Sequence, residues 1–208
     1  MNLHRSSGKP DWAAVPEDQQ NVWQRLAARS SGKVTPGNVF TVGGFGLVLL
    51  GIWLINQNQL WLGLSFLVFG RLCDLFDGIV ADQTKTKSPL GEVLDAGFDK
   101  FGTLASLVGL CTAHIINVLI LLVVLLPNLS NSLITITGNR RGMVLHVSQN
   151  GKLFMATSWM ALVGYVLAAA LKLNFSSWLG LLASCLLIIS LVLGLLASKG
   201  YFEDLRQG

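Results

Sequence analysis

"RLCDLFDGIVADQTKTKSPLGEVLDAGFDK", residues 71–100, holds six of the chain's eleven acidic residues and lies between long apolar segments. Its acids recur at helical spacing. With about 100° per residue, Arg71, Asp74, Asp77, Gly78 and Ala81 fall within about a 120° arc of one helix, and Gly91, Asp95 and Asp99 within about 80° of the next. The connection between them, "DQTKTKSP", is short enough to force antiparallel packing. Two carboxylates on each helix then face one another across a helix pair.

The surroundings of this stretch set the class of the protein. Of 208 residues, 52% are hydrophobic and 12% charged, and the mean hydropathy is +0.58. Soluble domains carry about 25% charged residues, so the composition indicates an integral membrane protein and argues against a soluble one. Hydrophobic segments at roughly 36–56, 59–82, 91–113, 116–137, 153–172 and 177–198 are each long enough to cross about 30 Å of hydrocarbon as a helix. The expected fold is therefore all-α: six transmembrane helices in a domain spanning 35–200, with a short tail at 201–208. Ahead of them, within residues 1–34, a polar tail leads into "PEDQQNVWQRLAARSSGK". This segment reads as an amphipathic interfacial helix starting near Pro16, with Glu17 and Asp18 in its first turn and an apolar stripe of Val22, Trp23, Leu26 and Ala27.

Charge sets the orientation. Arg25, Arg29 and Lys33, then Lys85 and Lys87, then Arg140, Arg141 and Lys152, and finally Lys199 and Arg206 all fall on one side, whereas Lys172 is the only basic residue on the other. By the positive-inside bias both termini are cytoplasmic, and the acidic stretch meets the cytoplasmic face of a multi-pass protein of the cell membrane. The net charge of +4 is scattered over these short loops, which gives no footprint for nucleic acid. The first apolar run begins near Val39 after a polar segment, which is not the pattern of a secretory signal. Cys73, Cys111 and Cys185 stand singly in apolar segments and form neither a disulfide framework nor a zinc site.

Four carboxylates in one intramembrane site repel each other unless protonated or paired with cations. An oxygen-only donor set without Cys or His suits magnesium, manganese or calcium. Four negative charges match two divalent ions, the arrangement that supports in-line displacement at a phosphate. Arg71 is then left to meet a phosphate, and Gly78 and Gly91 let a ligand approach the helix backbone. Asp82 and Glu92 read as helix-end acids in interfacial water.

These residues spell D74-x2-D77-G78-x2-A81-D82-x8-G91-x3-D95-x3-D99. The pattern resembles the CDP-alcohol phosphotransferase signature, D-x2-D-G-x2-A-R-x8-9-G-x3-D-x3-D, at seven of its eight fixed positions. The resemblance implies transfer of a phosphatidyl or similar group from a CDP-linked lipid, such as CDP-diacylglycerol, to an alcohol, with release of CMP. It also implies Asp74, Asp77, Asp95 and Asp99 as ligands of two Mg2+ (or Mn2+) ions, Asp99 as the base that takes the proton of the attacking hydroxyl, Gly78 and Ala81 beside Gly91 and Arg71 in the CDP site, and a homodimer. One position departs from the signature: Asp82 stands where it has Arg. Either Lys85 or Lys87 would substitute, or donor binding is weakened or altered.

For the acceptor, Arg140, Arg141 and Lys152 offer a phosphate site, although positive-inside decoration explains the same residues. His146 reads as a loop residue, and Lys100 either pairs with an acid or snorkels to the interface. The stretch from Arg140 through "GKLFMATSW", and "TPGNVFTVGG" with its displaced Pro-Asn-x-x-Thr pattern, distantly resemble phosphatidylglycerophosphate synthases. They favour glycerol 3-phosphate as the acceptor, with inositol phosphate or another alcohol as alternatives. Two rival readings are a divalent-cation transporter, since intramembrane acids mark ion paths, and a catalytically weak member of the family that binds CDP-lipid.

Overall fold

The computed structural model describes residues 15–16, 19–140, 148–174 and 177–207. Their regular structure is α-helical. A short helix, α1 (Val22–Arg29), precedes six long ones: α2 (Pro36–Asn56), α3 (Leu60–Thr84), α4 (Pro89–Thr112), α5 (Val118–Arg140), α6 (Gln149–Ala170) and α7 (Trp178–Gln207). The six long helices coincide with the six apolar segments. Four are long and apolar enough to cross a membrane: α2, α5 over Val118–Gly138, α6, and α7 over Trp178–Asp204. The other two, α3 and α4, carry the acids. Any span-length window in α3 includes Arg71, Asp74 and Asp77, and any in α4 includes Asp95, Asp99 and Lys100.

Two boundaries differ from expectation. The first helix starts at Val22, not near Pro16. Asn21 caps it, accepting from Gln24 N while Gln24 returns a bond to Asn21 N, so an Asn-x-x-Gln capping box sets this start. Glu17 and Asp18 lie outside the described residues. At the other end α7 continues to Gln207, with Tyr201 buried, so residues 201–207 prolong the helix.

The apolar stripe of α1 faces outward except at Ala27. Val22, Trp23 and Leu26 are exposed, while Gln24 and Ala27 are buried. Gln24 Nε2 donates to the Thr84 carbonyl at the end of α3, 3.1 Å away. The helix thus docks through a polar contact and leaves its large apolar side chains outward, as a surface-lying helix requires.

The chain divides into two compact units, residues 1–53 with 65–106, and residues 54–64 with 107–208. In the first unit α2 packs antiparallel on α3 through small residues. A Cβ placed on Gly70 would lie 2.7 Å from the Gly44 carbonyl oxygen and 2.7 Å from Val48 Cγ2. One on Gly37 would meet Ala81 Cβ at 3.1 Å. Small residues at these intervals allow the close backbone approach that drives helix pairing where lipid replaces water. Helix α4 joins α2 through stacked rings of Phe45 and Phe98, with centroids 4.6 Å apart. In the second unit α7 packs on α5 and α6, and Gly194 lets α7 approach Pro127 of α5 and Phe154 of α6. Much of the remaining surface is apolar: Leu119 and Trp178 are each 71% exposed and Leu75 67%, a pattern that serves a hydrocarbon environment and not water.

The Gly44–Gly70 crossing gives a test by sign. In an unhindered helix Gly→Ala stabilises by about 1 kcal/mol. At Gly70 the new methyl meets backbone, and overpacking of this kind costs about 1–3 kcal/mol. Gly70→Ala is therefore expected to lower the melting temperature of the detergent-purified protein by several degrees, and an unchanged or higher value would mean that α2 and α3 are not in contact here.

Candidate active site

The short α3–α4 connection brings the two acid-bearing faces together, and it is itself pinned at both ends. Lys85 turns the chain out of α3 with φ 53°, and Thr86 N bonds back to the Ala81 carbonyl at 3.0 Å. Ser88 begins α4, with its Oγ accepting from Gly91 N at 3.0 Å and donating to Gly32 O at 3.3 Å. The register of Asp74 and Asp77 against Asp95 and Asp99 follows from this closure.

Carboxylate oxygens of Asp74, Asp77 and Asp95 all lie within 4.8 Å of one another. Asp77 is buried, Asp74 half-buried and Asp95 exposed, so the group opens outward through Asp95. Thr41 Oγ1 of α2 donates to Asp77 Oδ2 at 2.6 Å and fixes that carboxylate. Arg71 occupies the other side. Its Nη1 is 3.1 Å from Asp74 Oδ2 and 2.7 Å from Asp99 Oδ1. Of the four aspartates expected together, three converge, and Asp99 is joined to the group through Arg71.

The donor set fits a hard divalent cation. It is all oxygen, it is concentrated in negative charge, and its three carboxylates are close enough together to hold one ion. Arg71 neutralises part of the charge that these acids would otherwise leave unbalanced.

Beside the carboxylates lies a cavity of about 240 Å³ lined by Thr35, Gly37, Asn38, Thr41, Asp77, Gly78, Ala81, Thr86, Lys87, Ser88, Gly91 and Asp95. Gly78, Ala81 and Gly91, expected around a nucleotide, are all there. Arg71 is not among these lining residues and is engaged by Asp74 and Asp99. The two glycines serve different ends. A Cβ on Gly78 would meet nothing within 4 Å, whereas one on Gly91 would lie 2.7 Å from Asn38 Oδ1, so Gly91 makes room for a side chain of the protein.

Asn38, Thr41 and Thr35 are contributions from α2 and its approach to which sequence reasoning gave no role. Asn38 Nδ2 donates to the Gly32 and Lys33 carbonyls at 3.2 and 3.1 Å, and its own N–H bonds Thr35 Oγ1 at 3.1 Å. The signal was present in "TPGNVFT", where Asn38 and Thr41 lie three apart and so share one face of a helix.

Asp82 is exposed and ion-paired with Lys87, Nζ to Oδ1 2.6 Å. Lys100 is exposed, and so is Lys152 in the first turn of α6. Arg140 ends α5; its side chain, Arg141, His146 and the side chain of Glu92 lie outside the described residues.

Against known proteins, a family model described as CDP-alcohol phosphatidyltransferase matches residues 34–196. Among curated proteins no significant match is found. The matched span begins just before α2 and ends within α7, and it includes every residue of the carboxylate group and the cavity.

Proposed function

The chain belongs to the CDP-alcohol phosphatidyltransferase family, and from that premise we propose that it transfers a phosphatidyl group from CDP-diacylglycerol, or a similar CDP-lipid, to glycerol 3-phosphate with release of CMP. Membership makes it a membrane-embedded transferase of substituted phosphate groups that acts on CDP-alcohols. In this reading all six long helices span the bilayer of the cell membrane as a homodimer, with both termini and the carboxylates at the cytoplasmic face.

The observation that carries the proposal is the convergence of Asp74, Asp77 and Asp95 within 4.8 Å, two of them, Asp77 and Asp95, in the wall of a cavity that also holds Gly78, Ala81 and Gly91. Magnesium or manganese held by these carboxylates would offset negative charge on the pyrophosphate of the donor. The remaining steps belong to the protein. The cavity binds the cytidine nucleotide against Gly78 and Ala81. Thr41 keeps Asp77 oriented, and Arg71 holds Asp99 by one oxygen. The other Asp99 oxygen accepts the proton of the acceptor hydroxyl. That hydroxyl oxygen then bonds to the phosphorus bearing the diacylglycerol, and the bond from this phosphorus to the CMP oxygen breaks. Arg140, Arg141 and Lys152 are the proposed holders of the acceptor phosphate.

The test is CMP release by purified protein in detergent, supplied with magnesium, CDP-diacylglycerol and a panel of alcohols led by glycerol 3-phosphate. We expect release that depends on both metal and acceptor. Release with inositol phosphate alone would keep the chemistry and replace the acceptor. Cation flux in liposomes without lipid substrate, together with no CMP release, would overturn the reading in favour of a transporter.

A further inference from the structure

We propose that Lys87 is a binding residue for the donor nucleotide's phosphates, supplying from the α3–α4 connection the cation that the inverted charge at Asp82 removes from α3. The inference rests on the CDP-alcohol reading above.

Three observations carry it. First, Lys87 lines the cavity together with Gly78, Ala81 and Gly91, and Lys85, the other lysine of the connection, is not among the lining residues. Lys85 is instead committed to the turn, with φ 53°. Second, the backbone that presents Lys87 is fixed on both sides. Thr86 is 1% exposed and Ser88 7%; Thr86 Oγ1 is 2.7 Å from Thr84 Oγ1, and Ser88 is held by Gly32 and Gly91. Lys87 projects between two clamped residues. Third, Asp82 holds Lys87 Nζ at 2.6 Å. An ammonium has three donors, so one directed at Asp82 orients the group and leaves two for phosphate oxygens. As an exposed pair, Asp82–Lys87 contributes little to stability, so a change at Lys87 can be read in binding without loss of the fold. At the same rim, an acid at position 82 without Lys87 would repel the pyrophosphate.

The test uses the full-length protein in detergent, with CDP as the probe in the presence of magnesium. Lys87→Ala is expected to weaken CDP binding about tenfold, the scale of one charge-assisted hydrogen bond, while Lys87→Arg stays near wild type. In turnover, the KM for the CDP-lipid rises by a similar factor and that for the acceptor alcohol does not. The double variant Asp82→Arg, Lys87→Ala regains most of the lost affinity, because either position delivers a cation to the same rim. CDP binding by Lys87→Ala equal to wild type would overturn the assignment, leaving Lys87 as the surface partner of Asp82. A rise in the acceptor's KM instead would overturn the assignment to the donor. Failure of the wild-type protein to bind CDP at all would overturn the nucleotide reading of the cavity and this assignment with it.

Discussion

Asp77→Asn is expected to leave a folded protein that has lost its response to divalent cations. Asp77 is the most enclosed of the three convergent carboxylates, at 6% exposure, and the one held by Thr41. Asparagine keeps the shape and still offers an oxygen to the Thr41 hydroxyl, so the packing of α2 on α3 survives. What disappears is one of three negative charges within 4.8 Å. Without metal those charges repel, so the variant should melt no lower than the wild type, the trade in which a strained site gains stability as it loses function. With metal the order reverses. A ligand that binds only the folded state stabilises it by RT ln(1 + [L]/Kd), so magnesium or manganese raises the melting temperature of the wild type and leaves that of Asp77→Asn unmoved. Transfer falls on the order of a hundredfold or more, as when a group stabilising transition-state charge is removed. An equal metal-induced shift in both proteins would remove Asp77 from the ligand set.

Much of this site could be read from spacing alone. Asp74 with Asp77, and Asp95 on the facing helix, converge because intervals of three and four residues put side chains on one face and the short connection leaves antiparallel packing as the only closure. The six long helices were legible for a similar reason: nothing but a span-length apolar run accounts for the segments around Leu119 or Leu181. The start of α1 was misread because a proline followed by two acids resembles a helix entrance, while the Asn21–Gln24 capping box, a weaker pattern in print, wins once Gln24 also reaches the Thr84 carbonyl. Arg71 illustrates a different limit. Its angle on α3 places it with the acids, but no angle reveals that it grips Asp74 and Asp99 and so stands between Asp99 and the other three. The roles of Asn38 and Lys87 were hidden for the same reason: each depends on contacts between segments distant in sequence or set by a turn, and periodicity carries no information about those.

The placement of Asp99 makes its own substitution the sharper mechanistic test. Asp99→Asn is expected to reduce the rate of transfer about a thousandfold, within the range for losing a general base, while metal-induced stabilisation and CDP binding stay within a few-fold of wild type. The separation of the two effects follows from geometry. Asp99 lies outside the group of three carboxylates that share 4.8 Å, and its Oδ1 is taken by Arg71 Nη1 at 2.7 Å. Asparagine can accept the same bond, so Arg71 keeps its position beside Asp74 and the frame of α3 and α4 is preserved. The residue can no longer take a proton from the acceptor hydroxyl. The fall should therefore appear in kcat, with the KM for the CDP-lipid nearly unchanged, the pattern of an interaction made only in the transition state. If kcat falls and metal stabilisation is lost with it, Asp99 acts chiefly as a metal ligand, and Arg71 must release it when the cation arrives. If turnover is normal, Asp99 has no part in proton transfer, and its partnership with Arg71 is structural. The Asp77 variant separates these cases from general damage to the site, since there metal response and rate are lost together, whereas in Asp99→Asn the rate alone should fall.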